Sequence, residues 1–479
     1  MKLSELLKYI QVKEIVGNTD IEICGLCTDS QKVKEGDLFF CFAGAKHDSH
    51  GDMLEITDNG AVAVVCEKKL DYPITQIIVD SGRAQIARAA QAFYNFADKK
   101  LKIVAVTGTN GKTTITHMLA SIFRSNGHST GVIGTLGISY GEKFISPELT
   151  TPDPIFLYSV LADMVAAGVK YVFMEVSAHA LYYDKIYGLN FEVGIFTNCT
   201  QDHLDFFGDM QRYAECKKLL FKDGRCKFAV INSDDALGIE ILSTIKNATS
   251  YGLKNPADVF AVDVRESLDG TTFVLNLEDE LYEIKLCLPA IHNVYNAMAA
   301  AACAKILGIS ISGIAKGLFS LKNVSGRLER VAKYNGADIF VDFAHTPDGL
   351  EKSLQSLKKL CEGKLYCLFG CGGNRDKTKR PIMGKVVATY ADFCIITSDN
   401  PRYEDPYDII SEIEEGVKST GKKYVTVSER EVATEYAIRL LEKGDILLVA
   451  GKGGEQYQEI MGIKHSYNDN TVIKNIIGG

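Results

Sequence analysis

The sequence has no continuous apolar run long enough to cross a membrane. It also has no internal repeat and no low-complexity linker. Its opening segment, MKLSELLKYIQV, lacks the continuous apolar core and the small-residue cleavage site of a signal peptide. The segment instead repeats Leu3, Leu6, Leu7 and Ile10 at helical spacing, which predicts an amphipathic helix. We therefore expect a cytoplasmic protein.

The sequence also lacks an excess of basic residues. Its formal net charge is −8, whereas nucleic-acid-binding domains usually carry a basic stripe. The 13 cysteines are an odd number in apolar segments, which is typical of reduced thiols packed in cores. The C-x-x-C motif from Cys24 to Cys27 has no second pair to complete a zinc site, and a strand would turn its two cysteines to opposite faces. We expect neither a nucleic acid partner nor a metal at this motif.

What the sequence does contain is a repeated alternation of strand and helix patterns. The chain has 479 residues, of which 46% are hydrophobic and 24% charged, and at about 150 residues per domain we expect three domains with large cores. The alternation predicts an α/β fold with mostly parallel sheets. We predict a small N-terminal α/β domain at residues 1–97, a central domain at 98–325 and a C-terminal Rossmann-like α/β domain at 326–479.

The stretch IVAVTGTNGKTTIT, residues 103–116, has the strand, glycine loop and helix order of a phosphate-binding loop. It is shorter than the common G-x-x-x-x-G-K-[ST] form because Gly108 lies only three residues before Gly111. Backbone N–H groups of such a loop bind phosphates, Lys112 adds a positive charge, and Thr113 can reach a magnesium ion. The alternative is an ordinary glycine turn before a helix.

Two later strand patterns, YVFMEVS and VGIFTN, turn polar at their carboxyl ends. In open parallel sheets, ligands bind beyond the carboxyl ends of the strands. The polar residues expected at this edge of the central domain are Glu175, Ser177 and His179 after the first strand, and Asn198, Asp202 and His203 after the second. Glu175 is then a candidate metal ligand, and the alternative is a solvated strand end.

The segment DMQRYAECKKLLF, residues 209–221, predicts a helix. Its expected buried stripe consists of Tyr213, Cys216, Leu220 and Phe221. Lys217 lies four residues after Tyr213 and four before Phe221, so we expect its stem to be half-buried on that face. The pattern alone favours a stem that carries its ammonium to the surface.

Sequence motifs that span nearly the whole chain resemble those of the Mur ligases of bacterial cell-wall synthesis. In chain order they are TGTNGKTT, TTPD, MEVSAHAL, DHLD, YAECKKLLF, HNVYNAMAA, SGRLE, DFAHTPDGL, GCGGNRDKTKRP, DNPR and GKGGEQYQ. The shortened phosphate loop is the family's own form. The resemblance is greatest to the members that add the third residue of the peptidoglycan peptide.

The resemblance implies that ATP activates a carboxylate of UDP-N-acetylmuramoyl-L-alanyl-D-glutamate as an acyl phosphate, which an amino acid then attacks to form an amide. It implies that the N-terminal domain binds the UDP-substrate, the central domain binds ATP with Mg²⁺, and the C-terminal domain binds the amino acid. The implied partners are small-molecule substrates, with no nucleic acid and no membrane insertion, and the implied state is a monomer.

The resemblance also carries over to individual residues. Those matched to the ATP site are Gly108, Thr109, Asn110, Gly111, Lys112, Thr113, Thr114, Asn293, Asn296, Arg327 and Asp342. Those matched to the magnesium site are Thr113, Glu175, His203 and Lys217, and the catalytic set is Lys112, Glu175, His203 and Lys217. Lys217 matches a lysine that the family carries as a carbamate, an anion that can hold a second metal near the acyl phosphate. This implication reverses the preference from the pattern alone.

The substrate sites are implied in the same way. Residues matched to the UDP-substrate are Ser30, Thr150, Thr151, Ser177 and Lys185, the last standing where arginine is usual. Residues matched to the amino acid are Arg375, Asp399, Asn400, Pro401, Arg402, Gly451 and Glu455. Arg402 in DNPR predicts meso-diaminopimelate rather than lysine, because a guanidinium can bind the extra carboxylate through two hydrogen bonds. The alternative is a surface pair between Arg402 and a neighbour such as Glu404.

Two rival classes share parts of this pattern. A folylpolyglutamate synthetase shares the loop and the acyl-phosphate chemistry but does not require the DNPR and N-terminal TDS segments. A nucleotide-switch protein that binds a partner would not need a third α/β domain with polar strand ends, and the sequence has no N-K-x-D guanine-recognition motif. The sequence therefore favours a ligase.

Overall fold

A computed structural model of the chain describes residues 1–43, 47–146 and 148–478. The chain divides into two units. The first unit contains residues 1–104 and 129–192, and the second contains residues 105–128 and 193–479. Among the described residues, no helix is both long enough and apolar enough to span a membrane.

The start of the chain forms short strands and helices. The helices are α1 (Leu3–Leu6), α2 (Met53–Asp58) and α3 (Gly82–Phe93). The strands are β1 (Glu14–Val16), β2 (Gly25–Cys27), β3 (Asp37–Phe40), β4 (Ala63–Cys66), β5 (Thr75–Ile78) and β6 (Lys102–Thr107). The first five strands form a sheet of order β1-β5-β4-β3-β2, in which only β1 is antiparallel to its neighbour.

The next segment continues the alternation. Its helices are α4 (Lys112–Ser125), α5 (Pro154–Ala166) and α6 (Ala178–Tyr182). Its strands are β7 (Thr130–Gly134), β8 (Gly137–Tyr140), β9 (Lys143–Ile145) and β10 (Tyr171–Glu175). Strand β10 pairs in parallel with β7, whereas β7, β8 and β9 form antiparallel hairpins in the first unit.

Most of the middle of the chain belongs to the second unit. Its strands are β11 (Phe191–Phe196), β12 (Cys226–Asn232), β13 (Ala248–Gly252), β14 (Val259–Ser267), β15 (Gly270–Leu277) and β16 (Glu280–Leu286). Its helices are α7 (Leu204–Phe207), α8 (Met210–Lys218), α9 (Ala236–Thr244), α10 (Ile291–Ile306) and α11 (Ile311–Ser320). Strands β12, β13 and β14 are parallel, and β14, β15 and β16 are antiparallel.

The last part of the second unit forms a sheet covered on both faces. Its strands are β17 (Glu329–Tyr334), β18 (Ala337–Asp342), β19 (Leu365–Phe369), β20 (Phe393–Ile396), β21 (Tyr424–Thr426), β22 (Ile446–Ala450), β23 (Tyr457–Ile460) and β24 (Ile463–Ser466). Its helices are α12 (Pro347–Leu360), α13 (Lys379–Tyr390), α14 (Pro406–Lys418), α15 (Arg430–Arg439) and α16 (Asp469–Gly478). The order is β17-β18-β22-β19-β20-β21, with β17 alone antiparallel, and β23 pairs with β24 in a separate hairpin.

Alternating side chains of this sheet enter two separate cores, as expected for a buried parallel sheet. Helices α12, α13 and α14 pack with Phe340, Cys367 and Leu448 on one face. Helices α15 and α16 pack on the other face with Ile339 and Leu447. The prediction of a mostly parallel, Rossmann-like C-terminal region is confirmed.

Some sequence predictions need correction. The N-terminal helix ends at Leu6 and continues only as a 3-10 turn, and the strand predicted around the C-x-x-C motif is limited to Gly25–Cys27. Cys24, which lies outside this strand, is exposed and Cys27 is buried, and all 13 cysteines are free thiols. The hairpin strands β8, β9 and β14 to β16 were not predicted, although the alternating burial of β15 is the pattern of a half-buried strand.

Candidate functional site

The glycine loop between β6 and α4 has a backbone that only glycine adopts readily. Gly108 has φ +146° and Gly111 has φ +91°, values that L side chains rarely adopt. A Cβ on Gly108 would also lie 1.8 Å from Thr197 Oγ1 at the end of β11. The strand end therefore presses directly on the loop and leaves no room for a side chain.

The polar end of β11 also holds the loop by hydrogen bonds. The Asn110 N–H donates to Asn198 Oδ1 at 2.9 Å, and the Thr197 hydroxyl donates to the Asn110 carbonyl at 2.6 Å. Lys112 Nζ lies over the loop and donates to the carbonyls of Gly108 at 2.8 Å and Thr109 at 2.9 Å. The predicted gathering of Asn198 with this glycine loop is confirmed.

A cavity of about 410 Å³ opens beside the loop in the second unit. Its lining includes Asn110, Gly111, Thr114, Asn296, Arg327 and Asp342. Arg327 Nη2 donates to the Thr113 hydroxyl at 2.9 Å. Buried Asn293 accepts a hydrogen bond from the Asn296 amide at 3.1 Å and so supports that residue from behind. A cavity of this size next to backbone N–H groups suits a nucleotide.

Asp348 is a site residue that the sequence analysis missed. Its Oδ2 accepts from the Asn110 amide at 2.9 Å and from Lys352 Nζ at 2.8 Å. Asp348 lies in the first turn of α12, so it connects this helix directly to the phosphate loop. The contact joins residues 238 positions apart in the chain, so no local pattern predicts it. The sequence marked Asp348 only through its place in the motif DFAHTPDGL.

Lys217 is buried rather than half-buried, so the surface ammonium that the pattern alone favoured is wrong. The residue is 1% exposed, although the helix and its buried Tyr213, Cys216 and Leu220 are as predicted. Its Nζ lies 4.1 Å from the centre of the Tyr213 ring, and the Tyr213 hydroxyl lies 3.3 Å from Thr109 Oγ1 in the loop. Burial lowers the pKa of Lys217 to about 8.

Phe221, the last member of the predicted stripe, is only partly buried, because the helix ends at Lys218 and a 3-10 turn follows.

Asp202 lies next to two histidines. His203 Nε2 lies 3.4 Å from Asp202 Oδ2. Burial alone would raise the pKa of Asp202, but the hydrogen bond from His345 and the charges of both histidines lower it. Asp202 therefore carries a negative charge, which the two histidines stabilise.

Glu175 is 1% exposed, so the alternative of a solvated strand end is wrong. In the first unit its carboxylate accepts from the Thr135 N–H at 2.8 Å and from the Thr135 hydroxyl at 3.1 Å. The Thr151 hydroxyl donates to the Glu175 carbonyl at 2.8 Å and accepts from the Ser177 N–H at 3.0 Å. Thr150 Oγ1 lies 3.1 Å from Thr135 Oγ1. These residues form one polar cluster at the end of β10.

Other predicted residues of the first unit have separate contacts. Lys185 Nζ lies 2.6 Å from Asp153 Oδ1, and the Ser30 carbonyl accepts from the Asn59 amide at 3.0 Å. His179 lies in α6, and the Ser177 hydroxyl caps the start of this helix.

A buried ammonium joins the DNPR and GKGGE segments at the ends of β20 and β22. Lys452 is 0% exposed and donates at 2.9 Å both to Asn400 Oδ1 and to Glu455 Oε2. The Asn400 amide donates to the same Glu455 oxygen at 2.9 Å. Gly451 has φ +111°, and a Cβ there would lie 2.5 Å from Asp399 Oδ2. Lys452 was not predicted at this site, whereas Asp399, Asn400, Gly451 and Glu455 were.

Arg402 lies against the β23–β24 hairpin. Its Nε donates to Glu459 Oε2 at 3.1 Å, and its Nη1 donates to the Gly373 carbonyl at 2.7 Å. Arg402 therefore pairs with a carboxylate, as the alternative expected, but the partner is Glu459 and not Glu404, whose carboxylate pairs with buried Arg380 at 3.1 Å. Across the described parts of the chain, Arg402 Nη2 has no hydrogen-bond partner, which leaves one side of the guanidinium for a ligand.

The remaining residues predicted at this site lie on two neighbouring loops. Arg375 is partly exposed, and its Nη1 lies 3.7 Å from Asp205 Oδ2. Pro401 is buried, and a Cβ on Gly373 would lie 1.9 Å from the Pro401 carbonyl oxygen. The two loops are therefore in close backbone contact.

Comparisons with known proteins agree with this arrangement. The model of the Mur ligase middle domain matches residues 106–304, and that of the Mur ligase, glutamate ligase domain, matches residues 326–453. The UDP-N-acetylmuramoyl-L-alanyl-D-glutamate--2,6-diaminopimelate ligase of Caldanaerobacter subterraneus subsp. tengcongensis is 41% identical, over 100% of this chain and 99% of its own. The UDP-N-acetylmuramoyl-L-alanyl-D-glutamate--2,6-diaminopimelate ligase 1 of Clostridium acetobutylicum is also 41% identical, over 99% of this chain and 98% of its own.

Solved structures give the same result. A structure of a UDP-N-acetylmuramoyl-L-alanyl-D-glutamate--2,6-diaminopimelate ligase has a TM-score of 0.72 and 31% identity, covering 100% of this chain and 99% of its own. The MurF ligase of Thermotoga maritima, solved in complex with ADP, shares the fold with a TM-score of 0.67 and 21% identity, covering 95% and 96% of the two chains.

The chain belongs to the Mur ligase family, as the sequence motifs indicated. It is an α/β ligase whose full-length relatives at 41% identity are named as ligases of 2,6-diaminopimelate.

The loop geometry predicts that Gly108→Ala abolishes nucleotide binding, because a methyl group would collide with Thr197 and the φ angle would be strained. A ligand at one hundred times its Kd stabilises a protein by about 2.7 kcal/mol, so ADP should raise the Tm of the wild type but not of the variant. Gly51→Ala is the matched control, since no atom lies within 4 Å of its Cβ position. A wild-type Tm shift in Gly108→Ala would contradict this assignment.

Proposed function

We propose that this protein joins 2,6-diaminopimelate, in its meso form, to the D-glutamate of UDP-N-acetylmuramoyl-L-alanyl-D-glutamate at the expense of ATP. The observation that carries the proposal is the placement of buried Lys217 against Tyr213, whose hydroxyl contacts the phosphate loop. The names of relatives that match the whole chain support the substrates. The product would be a precursor of peptidoglycan.

The proposal assigns one substrate to each region of the chain. Residues 1–97 would form the UDP-substrate domain, residues 98–325 the ATP domain and residues 326–479 the amino-acid domain. For the UDP-substrate we propose Ser30, Thr150, Thr151, Ser177 and Lys185. The polar cluster of Thr150, Thr151 and Ser177 at the end of β10 supports the central members of this set.

ATP would bind with its phosphates on the loop from Gly108 to Thr114. Lys112 now donates to two loop carbonyls, and its ammonium could turn from these to the phosphates. Asn296, Arg327 and Asp342 would hold the nucleoside in the adjoining cavity, and Asn293 would act through its hydrogen bond with Asn296. Asp342 accepts a hydrogen bond from the Ser353 hydroxyl at 2.5 Å, which fixes its carboxylate.

Magnesium is proposed to bind through Thr113, Glu175, His203 and Lys217. Among the described residues, no group of three or more His, Cys, Asp or Glu side chains is arranged to hold a metal by itself. This fits magnesium, which usually keeps several waters and uses one or two carboxylates together with substrate phosphates. When bound, the ion neutralises charge on the transferring phosphoryl group.

The chemistry of Lys217 supports a carbamate. A carbamate forms when a neutral amine attacks CO₂, and burial has lowered the pKa of this amine to about 8. The product exchanges a buried cation, which is costly without a partner, for an anion. The charged groups that act on Lys217 include the carboxylates of Asp202 and Asp235, so the carbamate anion would be stabilised by the bound metal ion.

In the amino-acid site, Asp399, Asn400, Glu455 and the Gly451 backbone would bind the amino and carboxyl groups of one end of diaminopimelate. Arg402, with Arg375 nearby, would bind the carboxylate at the other end, and Pro401 shapes the turn between them. The free side of the Arg402 guanidinium, at Nη2, supports this role. We further propose that the protein acts as a cytoplasmic monomer.

The proposal predicts that phosphate release from ATP requires both the UDP-dipeptide and the amino acid. Acyl phosphates hydrolyse in water, so the ligase should form one only when the site is filled. Phosphate release should be measured with each substrate omitted in turn and with a panel of amino acids. Rapid ATP turnover without the UDP-dipeptide would contradict the proposal.

Lys217→Ala should lose activity by roughly 10- to 100-fold, the usual cost of removing a group that organises a metal site. Formate should restore part of the loss by supplying an anion. Lys218→Ala is the matched control, because this neighbour pairs at the surface with Glu240. Near-normal turnover of Lys217→Ala, or the absence of a carbamate ¹³C NMR signal from the folded wild type in ¹³C-labelled bicarbonate, would contradict the carbamate.

The carbamate should also depend on pH. With a pKa of about 8, Lys217 is about one tenth neutral at pH 7 and about nine tenths neutral at pH 9. At the same concentration of dissolved CO₂, CO₂-depleted enzyme should therefore be reactivated faster at the higher pH. Equal reactivation rates at both values would show that this amine is not the group involved.

Arg402→Ala should reduce kcat/KM for diaminopimelate far more than for lysine. Loss of one partner of a buried charge pair costs roughly 2 to 5 kcal/mol, which corresponds to a thirtyfold or greater preference at about 1.4 kcal/mol per tenfold. Lys377→Met is the matched control, because this nearby cation is 60% exposed and pairs with Glu404. Equal losses with both amino acids, or a wild-type preference for lysine, would contradict the role of Arg402.

A further inference from the structure

One buried guanidinium is tied to the ends of two strands beneath the proposed amino-acid site. Arg430, the first residue of α15, has a fully buried side chain. Its Nη2 donates to the Ala450 carbonyl at 3.0 Å, and its Nη1 donates to the Ser398 carbonyl at 3.5 Å. These carbonyls directly precede Gly451 and Asp399. Arg430 therefore contacts the backbone immediately before both substrate segments.

Arg430 is held in turn by the first residue of α16. Its Nε and Nη2 donate to the two carboxylate oxygens of Asp469, both at 2.8 Å, and both side chains are 0% exposed. The Tyr467 hydroxyl donates to Asp469 Oδ1 at 3.1 Å. Asp469 and Tyr467 lie beyond residues 326–453, where the family model matches. A two-point pair of this kind fixes the plane of the guanidinium.

The pair also acts on the charge in the site. Burial alone would raise the pKa of Asp399, but the Lys452 ammonium and the Arg430 guanidinium lower it. Asp399 thus remains a carboxylate beside the incoming amino acid. Its position depends on the strand end that Arg430 holds through Ser398.

We infer that Arg430, oriented by Asp469, is a positioning residue for the amino-acid substrate. It holds the ends of β20 and β22 at a fixed spacing, so that the DNPR segment and the GKGGE segment bind the same molecule. This inference rests on the proposed function, because it takes these two segments as the amino-acid site. A purely structural ion pair would stabilise the sheet without any selective effect on one substrate.

Asp469→Asn tests the inference, because it keeps the shape of the side chain and removes its charge. We expect KM for diaminopimelate to rise roughly tenfold or more, since small displacements of positioning groups have large effects, while KM for ATP and for the UDP-dipeptide stays unchanged. Arg430→Lys should act in the same direction, because an ammonium cannot hold both carbonyls and the carboxylate. Glu435→Gln, which breaks the surface pair of the same helix α15 with Arg439, should have no effect.

Other outcomes would overturn the inference. If Asp469→Asn lowers the Tm but leaves KM for the amino acid unchanged, or raises all three KM values together, the pair is only structural. If Asp469→Asn does not fold, Tyr467→Phe removes a single hydrogen bond to Asp469, and an unchanged amino-acid KM in that variant would refute positioning. A wild type that uses another amino acid would refute the proposed substrate instead, and the same variants would then be measured with that amino acid.

Discussion

The close contact between the phosphate loop and the end of β11 is the constraint on which the nucleotide site depends. Gly108 leaves no space for a side chain against Thr197, and Asn198 binds the loop backbone. Gly108 and Gly111 are three residues apart, whereas the two glycines of the common form are five apart, and the neighbouring strand end supports this shorter turn. The same loop orients Lys112 and, through Thr109, contacts the Tyr213 that covers Lys217.

Two buried cations show how burial and function are combined in this fold. An unpaired buried charge is costly, and the two residues meet that cost differently. Arg430 is paired at two points with Asp469, so it stays charged and holds its neighbours in place. Burial instead lowers the pKa of Lys217, so it can react as a neutral amine. One cation is thus fixed and the other is available for chemistry.

The sequence predicted the parts of the fold that depend on local patterns. Strands such as β10, β18 and β22 are continuous apolar runs, and their polar ends mark the sites. The contacts that decide burial and pairing join distant segments, so no local pattern shows them. The buried Lys217 interacts electrostatically with Cys199 and Asp235 from other segments, and Arg402 pairs with Glu459, 57 residues away. For the same reason, Asp348, Lys452 and Arg430 were missed.

The transfer of oxygen from substrate to phosphate tests the central claim most directly. If ATP phosphorylates the D-glutamate carboxylate and the amine of diaminopimelate then displaces phosphate, one carboxylate oxygen must leave with that phosphate. With UDP-dipeptide labelled with ¹⁸O in this carboxylate, we predict one labelled oxygen in the phosphate for each amide formed. Amide formation with unlabelled phosphate would contradict an acyl phosphate intermediate and the ligase chemistry proposed for this site.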